Sequence, residues 1–239
     1  MRRNWYQEMH RTNIPRSARY VDRREIPLEH ARGRHVLHIG LGGAIEDQAR
    51  IARFAASDLQ RSLHGRLSLV AGELAGLDIN AATVEAMQAQ VPGRYIVGDI
   101  ADSVTADAIG TRFEIILFLE VIQDVPDLRR ALLNVKKMLN DDGELIVSAC
   151  NAYCADRFAK MFFGYEAVHS EHICYFSYMT LKRLLHVSGF DVEAAYYTFI
   201  PRGESEKLSS KILFLLEKTA CRFLPQFAEG ILMIARPRS

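Results

Sequence analysis

Residues 35–44, HVLHIGLGGA, lead a short apolar stretch straight into a turn with Gly40, Gly42, Gly43 and Ala44. Positions without side chains tolerate dihedrals closed to other residues and let backbone N–H groups approach a bound cofactor closely. The next apolar stretch, ELAGLDI, ends in Asp78. A carboxylate at the end of the neighbouring strand is where a ribose diol would be held. A dinucleotide fingerprint would need a third glycine three positions after Gly42, where the chain has Ile45. The spacing therefore favours a nucleoside-type cofactor and disfavours NAD.

These residues need a frame. Residues 35–39 read as a strand, followed after the turn by a long connection and a helix near 57–71 with Ser57 or Asp58 as its cap. A strand at 74–79 precedes a helix from Ala81 to Gln90 capped by Asn80, and RYIVGD supplies a third strand ending at Asp99. FEIILFLE is apolar enough to be a fourth strand covered on both faces. VPDLRRALLNVKKMLN places Leu128, Leu132, Leu133, Val135 and Leu139 at near-helical spacing and stops at Asn140-Asp141-Asp142-Gly143; ELIVSA is the fifth strand. After an aromatic and histidine-rich stretch over 151–178, MTLKRLLHVSGF reads as a helix ended by Gly189, and DVEAAYYTFI as a sixth strand. A helix over 205–224 and a final strand, EGILMIAR, close the chain. Alternating strands and helices imply an α/β fold with a doubly wound, Rossmann-like sheet of seven strands, the terminal one antiparallel.

With 239 residues and 49% hydrophobic content, the chain can bury a full core. The expected division is an N-terminal basic arm over 1–34, carrying Arg2, Arg3, Arg11, Arg16, Arg19, Arg23 and Arg24 with Trp5, Tyr6 and Tyr20 as anchors, and one domain over 35–239. A net charge of +1 argues against a dedicated nucleic-acid surface, leaving room for one local basic patch. Neither a signal peptide nor a run near the ~18 apolar residues of a spanning helix is visible, which gives the expectation of a soluble, cytoplasmic protein. Cys150, Cys154, Cys174 and Cys221 fit neither a disulfide framework nor zinc spacing, so no metal is expected.

Over roughly 35–200 the chain resembles the class I S-adenosylmethionine-dependent methyltransferases. The turn HIGLGGA looks like their GxGxG turn with Ala in the last place. GLDIN, VGDI and FLEVIQDVPDLRRALLNVKKMLNDDGELIVS are similar to the strand ends and linking helix that follow it. EHICYFSYMTLKRLLHVSGF is similar to the stretch before the sixth strand of small-molecule and sugar methyltransferases. The resemblance implies S-adenosylmethionine as cofactor, with S-adenosylhomocysteine as product. It places Gly40, Leu41 and Gly42 along the methionine part, Asp78 on the ribose hydroxyls, Ile79 beside the adenine, Asp99 and Ile100 at the adenine amino group and ring face, and Phe118, Leu119 and Glu120 beside the transferable methyl. The family's usual acidic residue two positions before the first glycine is His38 here. Gly40 and Asp78 lie 38 positions apart, against about 20 in a compact unit, so an insertion follows the turn. Many relatives carry Glu-His after the fourth strand, where this chain has Gln123-Asp124.

Methyl transfer from a sulfonium needs an aligned acceptor and a group that removes its proton. His169 and His172 are the leading bases, since imidazole titrates near working pH and their stretch, a substrate cap over 151–178, would fold over the strand ends. Glu120 is the next candidate, its competing role being a hydrogen bond to the cofactor or a helix N-terminus. Asp124 could stand in for the missing histidine but reads better as a helix cap before Pro126. Asn151 and Tyr153 could orient the acceptor, while Tyr175, Phe176 and Tyr178 read as cap core. The helical insertion 205–224 would suit a membrane surface, yet packing on its own domain or on a second subunit of a homodimer is favoured over stable membrane contact. The preferred reading is O-methylation of a small molecule or glycan hydroxyl. A degenerate fold used as a binding or partner subunit, and a nucleic-acid or protein methyltransferase, are the alternatives; no Asp/Asn-Pro-Pro-Tyr motif supports nucleic acid.

Overall fold

In FEIILFL every residue but Glu114 is apolar, so this strand is stable only where both of its faces are covered. The computed structural model, which describes residues 13–14, 18–42, 47–166, 168–199, 215 and 218–238, puts it in the middle of the sheet. Among those residues the strands are β1 (Tyr20–Asp22), β2 (His35–Ile39), β3 (Glu73–Asp78), β4 (Arg94–Val97), β5 (Phe113–Leu119), β6 (Leu139–Cys150), β7 (Phe190–Phe199) and β8 (Gly230–Pro237). They lie in the order β1-β7-β8-β6-β5-β2-β3-β4. All neighbours run parallel except β8, which is antiparallel to both β6 and β7.

The fold class is the one expected, with one strand more than seven. The addition is β1, from the stretch read as an arm, which pairs parallel to β7 through Tyr20↔Tyr197 and Asp22↔Phe199. Its Tyr20 ring lies 4.9 Å from Phe199. Behind it, helix α1 (Glu25–His30) is held to the sheet by the 2.8 Å contact of His30 Nδ1 with the buried Glu144 carboxylate. Trp5, Tyr6 and the first four arginines lie outside the described residues.

Side chains alternate across the strands, so each central strand feeds two cores. Leu37, Ile116 and Phe118 pack on one face with Leu132 and Val135 of helix α6 (Leu128–Met138) and Leu181 of helix α8 (Tyr178–Val187). Val36, Ile115, Leu117, Ile146 and Leu232 pack on the other. Helix α6 begins one residue after Asp127, whose side chain accepts the Arg130 N–H. Helix α8 begins at a capping box between Ser177 and Thr180 and ends before Gly189, whose φ of 86° is left-handed.

The insertion after the glycine turn departs from expectation. In place of one helix near 57–71 there are α2 (Gln48–Ala55), a 3-10 turn over Leu59–Arg61 and α3 (Leu63–Leu67). Asp47 and Ser62 are the caps, accepting N–H groups of Arg50 and Gly65, and each starts a new short helix that breaks the longer run. Packing fixes the second: a Cβ on Gly65 would sit 2.4 Å from the Leu59 carbonyl oxygen. Helix α4 (Ala81–Gln90) is capped by Asn80 as expected. Helix α5 (Ser103–Ile109), between β4 and β5, escaped the periodicity reading because its seven residues bury only Ala106 and Ile109. Of the helix expected over 205–224, residues 218–223 are helical and most of the rest lies outside the described residues. Among the described residues no helix is long and apolar enough to cross a membrane.

Leu37 is fully buried on β2, between β3 and β5. Leu37→Ala should lower unfolding stability by about 2–5 kcal/mol in urea titration, the cost of a central cavity that neighbouring strands cannot close.

Candidate functional site

Strand order reverses at β2, whose neighbours are β3 on one side and β5 on the other. Such a point leaves a crevice outside the carboxyl ends of the strands, where open α/β sheets bind ligands. Here it is a cleft of about 990 Å³. Gly40, Leu41 and Gly42 line it after β2, Asp78 and Ile79 at the end of β3, Asp99 and Ile100 after β4, and Leu119 and Glu120 at the end of β5. His169 and His172 enter from the segment that follows α7 (Ala155–Met161). Residues 35–44 are described only to Gly42, so Gly43 and Ala44 lie outside. Phe118 corrects the expectation: fully buried, it points into the core while its neighbour Leu119 faces the cleft. The strand's alternation allows only one of the two to reach the cleft.

Asp78 does more than project into the cleft. Its Oδ2 accepts the Leu41 N–H at 2.8 Å and its Oδ1 accepts the Asn80 N–H at 2.9 Å, so it clamps the glycine turn to the end of β3. Burial pushes its pKa upward, against the pull of those backbone donors. Gly40 at φ 79° and Gly42 at φ 114° supply the left-handed backbone of the turn, and a Cβ on Gly40 would meet Val121 Cγ2 at 2.1 Å. Asp99 accepts the Ala101 N–H at 2.8 Å, and the Ile100 carbonyl is held by the Asn134 amide of α6 at 2.8 Å. Each carboxylate oxygen keeps a second lone pair. Two carboxylates separated by the apolar Ile79, Ile100 and Leu119, in a space this large, suit a nucleoside with a diol and an exocyclic amine, so the residues present fit S-adenosylmethionine.

Glu120 is, among the described residues, the one non-glycine residue with positive φ, at 56°. Its N–H reaches the Ser148 carbonyl and hydroxyl, both at 3.1 Å, and its carbonyl accepts the Gln123 amide at 2.7 Å. Its carboxylate takes the Ser148 hydroxyl at 2.8 Å and the Cys150 thiol at 3.7 Å, and burial beside it pushes that thiol up to about 12. Backbone strain of this kind persists where surrounding bonds over-determine it.

At the far end of the cleft the histidines differ. His169 Nε2 meets the Arg50 guanidinium, and its Nδ1 accepts the Glu171 N–H at 3.4 Å. His172 lies 3.7 Å from Asp124 Oδ1 through Nε2, and its buried Nδ1 has no hydrogen-bond partner. Asp124 Oδ1 is likewise buried and unpartnered. Burial, then the carboxylates of Glu171 and Glu120, raise Asp124 to about 7 against the opposing Arg50. Burial and the neighbouring His169 and Arg157 push His172 below the usual histidine range. Asp124 is no cap for α6, a task performed by Asp127. Asn151 and Tyr153 stand outside the cleft: Asn151 is buried and donates to the Gln226 and Ala228 carbonyls, and Tyr153 is exposed. Tyr175 lines the cleft 4.9 Å beneath the Arg157 guanidinium, while Phe176 and Tyr178 are core.

The sequence reading passed over several cleft residues, Arg50, Glu171 and Arg157 among them. Arg50 rides on α2, which its Asp47 cap and the apolar Ile51 and Phe54 could have revealed; Glu171 sits between the two histidines; Arg157 of α7 carried no signal in sequence.

Asp124 keeps its proton to about pH 7 when folded, against 3.8 for an ordinary aspartate. The folded state therefore binds more protons between those values, and stability falls as pH rises across that window. Asp124→Asn should melt at a higher temperature than the wild type at pH 8, and the two curves should converge near pH 4. Calorimetric scans at both pH values check this.

A family model described as a methyltransferase domain matches residues 25–195. A ubiquinone biosynthesis O-methyltransferase of Coxiella burnetii is 31% identical over 124 residues, covering 50% of this chain and 45% of that protein. The match thus spans less than half the length of these curated relatives. A TehB-like SAM-dependent methyltransferase from Corynebacterium glutamicum shares the fold at a TM-score of 0.52 and 16% identity, covering 90% of this chain and 88% of that one. A Burkholderia thailandensis 1,6-didemethyltoxoflavin-N1-methyltransferase, solved with bound 1,6-didemethyltoxoflavin and S-adenosylhomocysteine, does so at 0.54 and 14%, covering 90% and 78%. The glycine turn clamped by a carboxylate at the switch point of this sheet, and a family match across most of the chain, place it in one group: it belongs to the class I S-adenosylmethionine-dependent methyltransferases.

Proposed function

We propose that the chain transfers the methyl group of S-adenosylmethionine to a hydroxyl oxygen of a small molecule or glycan. The observation that carries this reading is the Asp124–His172 pair: a carboxyl poised near neutrality, with one buried oxygen unpartnered, at the end of the cleft reached by the cap segment. An N- or S-nucleophile that is already unprotonated needs no such group, whereas a hydroxyl must lose its proton as the new bond forms. The match to a ubiquinone biosynthesis O-methyltransferase is consistent with an oxygen acceptor.

In this reading Gly40, Leu41 and Gly42 face the methionine portion of the cofactor, Asp78 accepts from the ribose hydroxyls, Ile79 and Ile100 cover the adenine, and Asp99 accepts from its amino group. Leu119 and Glu120 border the reacting centre. When bound, the cofactor supplies an electrophilic methyl carbon whose sulfur leaves as a neutral thioether. The chain's own task is to hold the acceptor oxygen in line and receive its proton. Asp124 Oδ1 is inaccessible, which makes Oδ2 the oxygen that takes it. His172, held below its usual pKa and so neutral, faces Asp124 without competing as a cation. His169 is occupied by Arg50 and is assigned to positioning the cap, and Glu120, occupied by Ser148 and Cys150, to shaping the strand end. Neither remains the base.

Incubation with isotopically labelled S-adenosylmethionine and panels of phenolic, aliphatic and sugar alcohols, read by mass spectrometry, should yield a methyl ether in at least one panel; label on nitrogen or carbon alone would overturn the oxygen reading. Asp124→Asn should lower kcat by about 10²-fold or more with cofactor affinity unchanged within about twofold. Asp78→Ala should weaken S-adenosylhomocysteine binding at least about tenfold in titration calorimetry, and should also lower the melting temperature, because the Leu41 and Asn80 N–H groups lose their acceptor.

A further inference from the structure

Where the family usually carries an acid, this chain builds a hydrogen-bonded chain of two buried imidazoles and a half-buried tyrosine. His38, on β2, lines the cleft yet is only 4% exposed, and its Nδ1 lies 3.1 Å from Nδ1 of His64 on α3. His64 Nε2 lies 3.1 Å from the Tyr95 hydroxyl on β4, and that hydroxyl donates to the Val91 carbonyl at 2.8 Å, just past the end of α4. Room for the rings comes from Gly76 of β3, in register with His38, where a Cβ would lie 3.1 Å from both His64 Cε1 and Tyr95 Cδ1.

The protons along this chain are determined. A carbonyl only accepts, so the single proton of Tyr95 is spent on Val91 and the hydroxyl oxygen must accept from His64. His64 therefore carries its proton on Nε2 and presents a bare Nδ1. His38 must then carry its proton on Nδ1, which leaves Nε2 as a bare acceptor on the residue that borders the cleft. Burial holds both rings neutral, lowering His64 to about 4 and His38 well below the usual range, the latter also through His64. Two imidazoles sharing one proton cannot both be cations at this distance.

We propose that His38 Nε2 is the acceptor for the ammonium group at the amino-acid end of S-adenosylmethionine, with its tautomer set by His64 and Tyr95 as positioning residues. The proposal rests on the cofactor reading above, in which that end lies along Gly40 to Gly42, two positions beyond His38. A donor bearing full positive charge makes a strong hydrogen bond to a neutral imidazole, and the His38 ring is almost wholly buried. The imidazole does so without adding another carboxylate to a cleft that already holds Asp78, Asp99, Glu120, Asp124 and Glu171.

The test compares two nucleosides by titration calorimetry: S-adenosylhomocysteine, which carries the ammonium, and 5′-methylthioadenosine, which lacks the amino-acid end. His38→Ala should weaken S-adenosylhomocysteine about tenfold or more and leave 5′-methylthioadenosine within about twofold, which also reports an intact fold. Tyr95→Phe, which removes only the hydroxyl that orders the chain, should produce a smaller loss, about threefold, again for S-adenosylhomocysteine alone. Equal losses for both nucleosides, or no loss for either, in both variants would overturn the proposal while leaving the cofactor reading standing. Wild-type protein that binds neither nucleoside would overturn both.

Discussion

One carboxylate anchors the site. Asp78 accepts N–H groups from Leu41 and Asn80, so the glycine turn after β2 and the start of α4 after β3 are tied to a single side chain. A turn with left-handed glycines has little of its own to resist reorganisation, since the freedom that admits such dihedrals also admits many others. The clamp removes that freedom where a ligand must meet backbone N–H groups at close range. Donors on both oxygens also oppose the cost of burying Asp78, without cancelling it, and leave lone pairs for a ligand.

The cleft is poised by opposed charges as much as by shape. Glu171 adds to the rise in proton affinity that burial imposes on Asp78, and Asp124 feels both Glu171 and Glu120 as well as burial. The cleft's arginines act the other way, with Arg157 helping to hold His172 neutral. In the proposed reading, a carboxyl raised to about 7 beside an imidazole kept neutral is the group suited to take the acceptor's proton at neutral pH. Glu120 shares in this through a strained backbone that Ser148 and Gln123 keep in place. The price in stability is carried by the sheet beneath, whose central strands are buried on both faces.

The insertion between β2 and β3 gives this cleft its individuality. Helix α2 brings Arg50 to the cap histidine His169, and α3 brings His64 against His38. Without the insertion, His38 would be a buried imidazole with no neighbour to define which nitrogen bears the proton. The substitution of histidine for the family's acid and the extra chain length are thus two parts of one arrangement.

Much of this was legible in the sequence. Local rules and period suffice for the parallel strands, the caps at Asn80 and Gly189, the glycine turn and the acid at Asp78, because such signals depend on residues within a few positions of one another. Phe118 shows the first limit: a run apolar throughout does not say which member faces a ligand, since both faces of the strand are dry. Asp124 shows the second, for capping and catalysis ask for the same side chain, and only the placement of Asp127, His172 and Glu171 around it separates them. The edge strand Tyr20–Asp22 exists because β7 offers it a partner nearly 180 residues away, and the proton order through His38, His64 and Tyr95 exists because three elements converge on the gap left by Gly76. Sequence alone determined which chemistry the chain can hold; packing in three dimensions decided which groups meet, and so which carry a proton, because desolvation and hydrogen-bond direction are properties of neighbours in space.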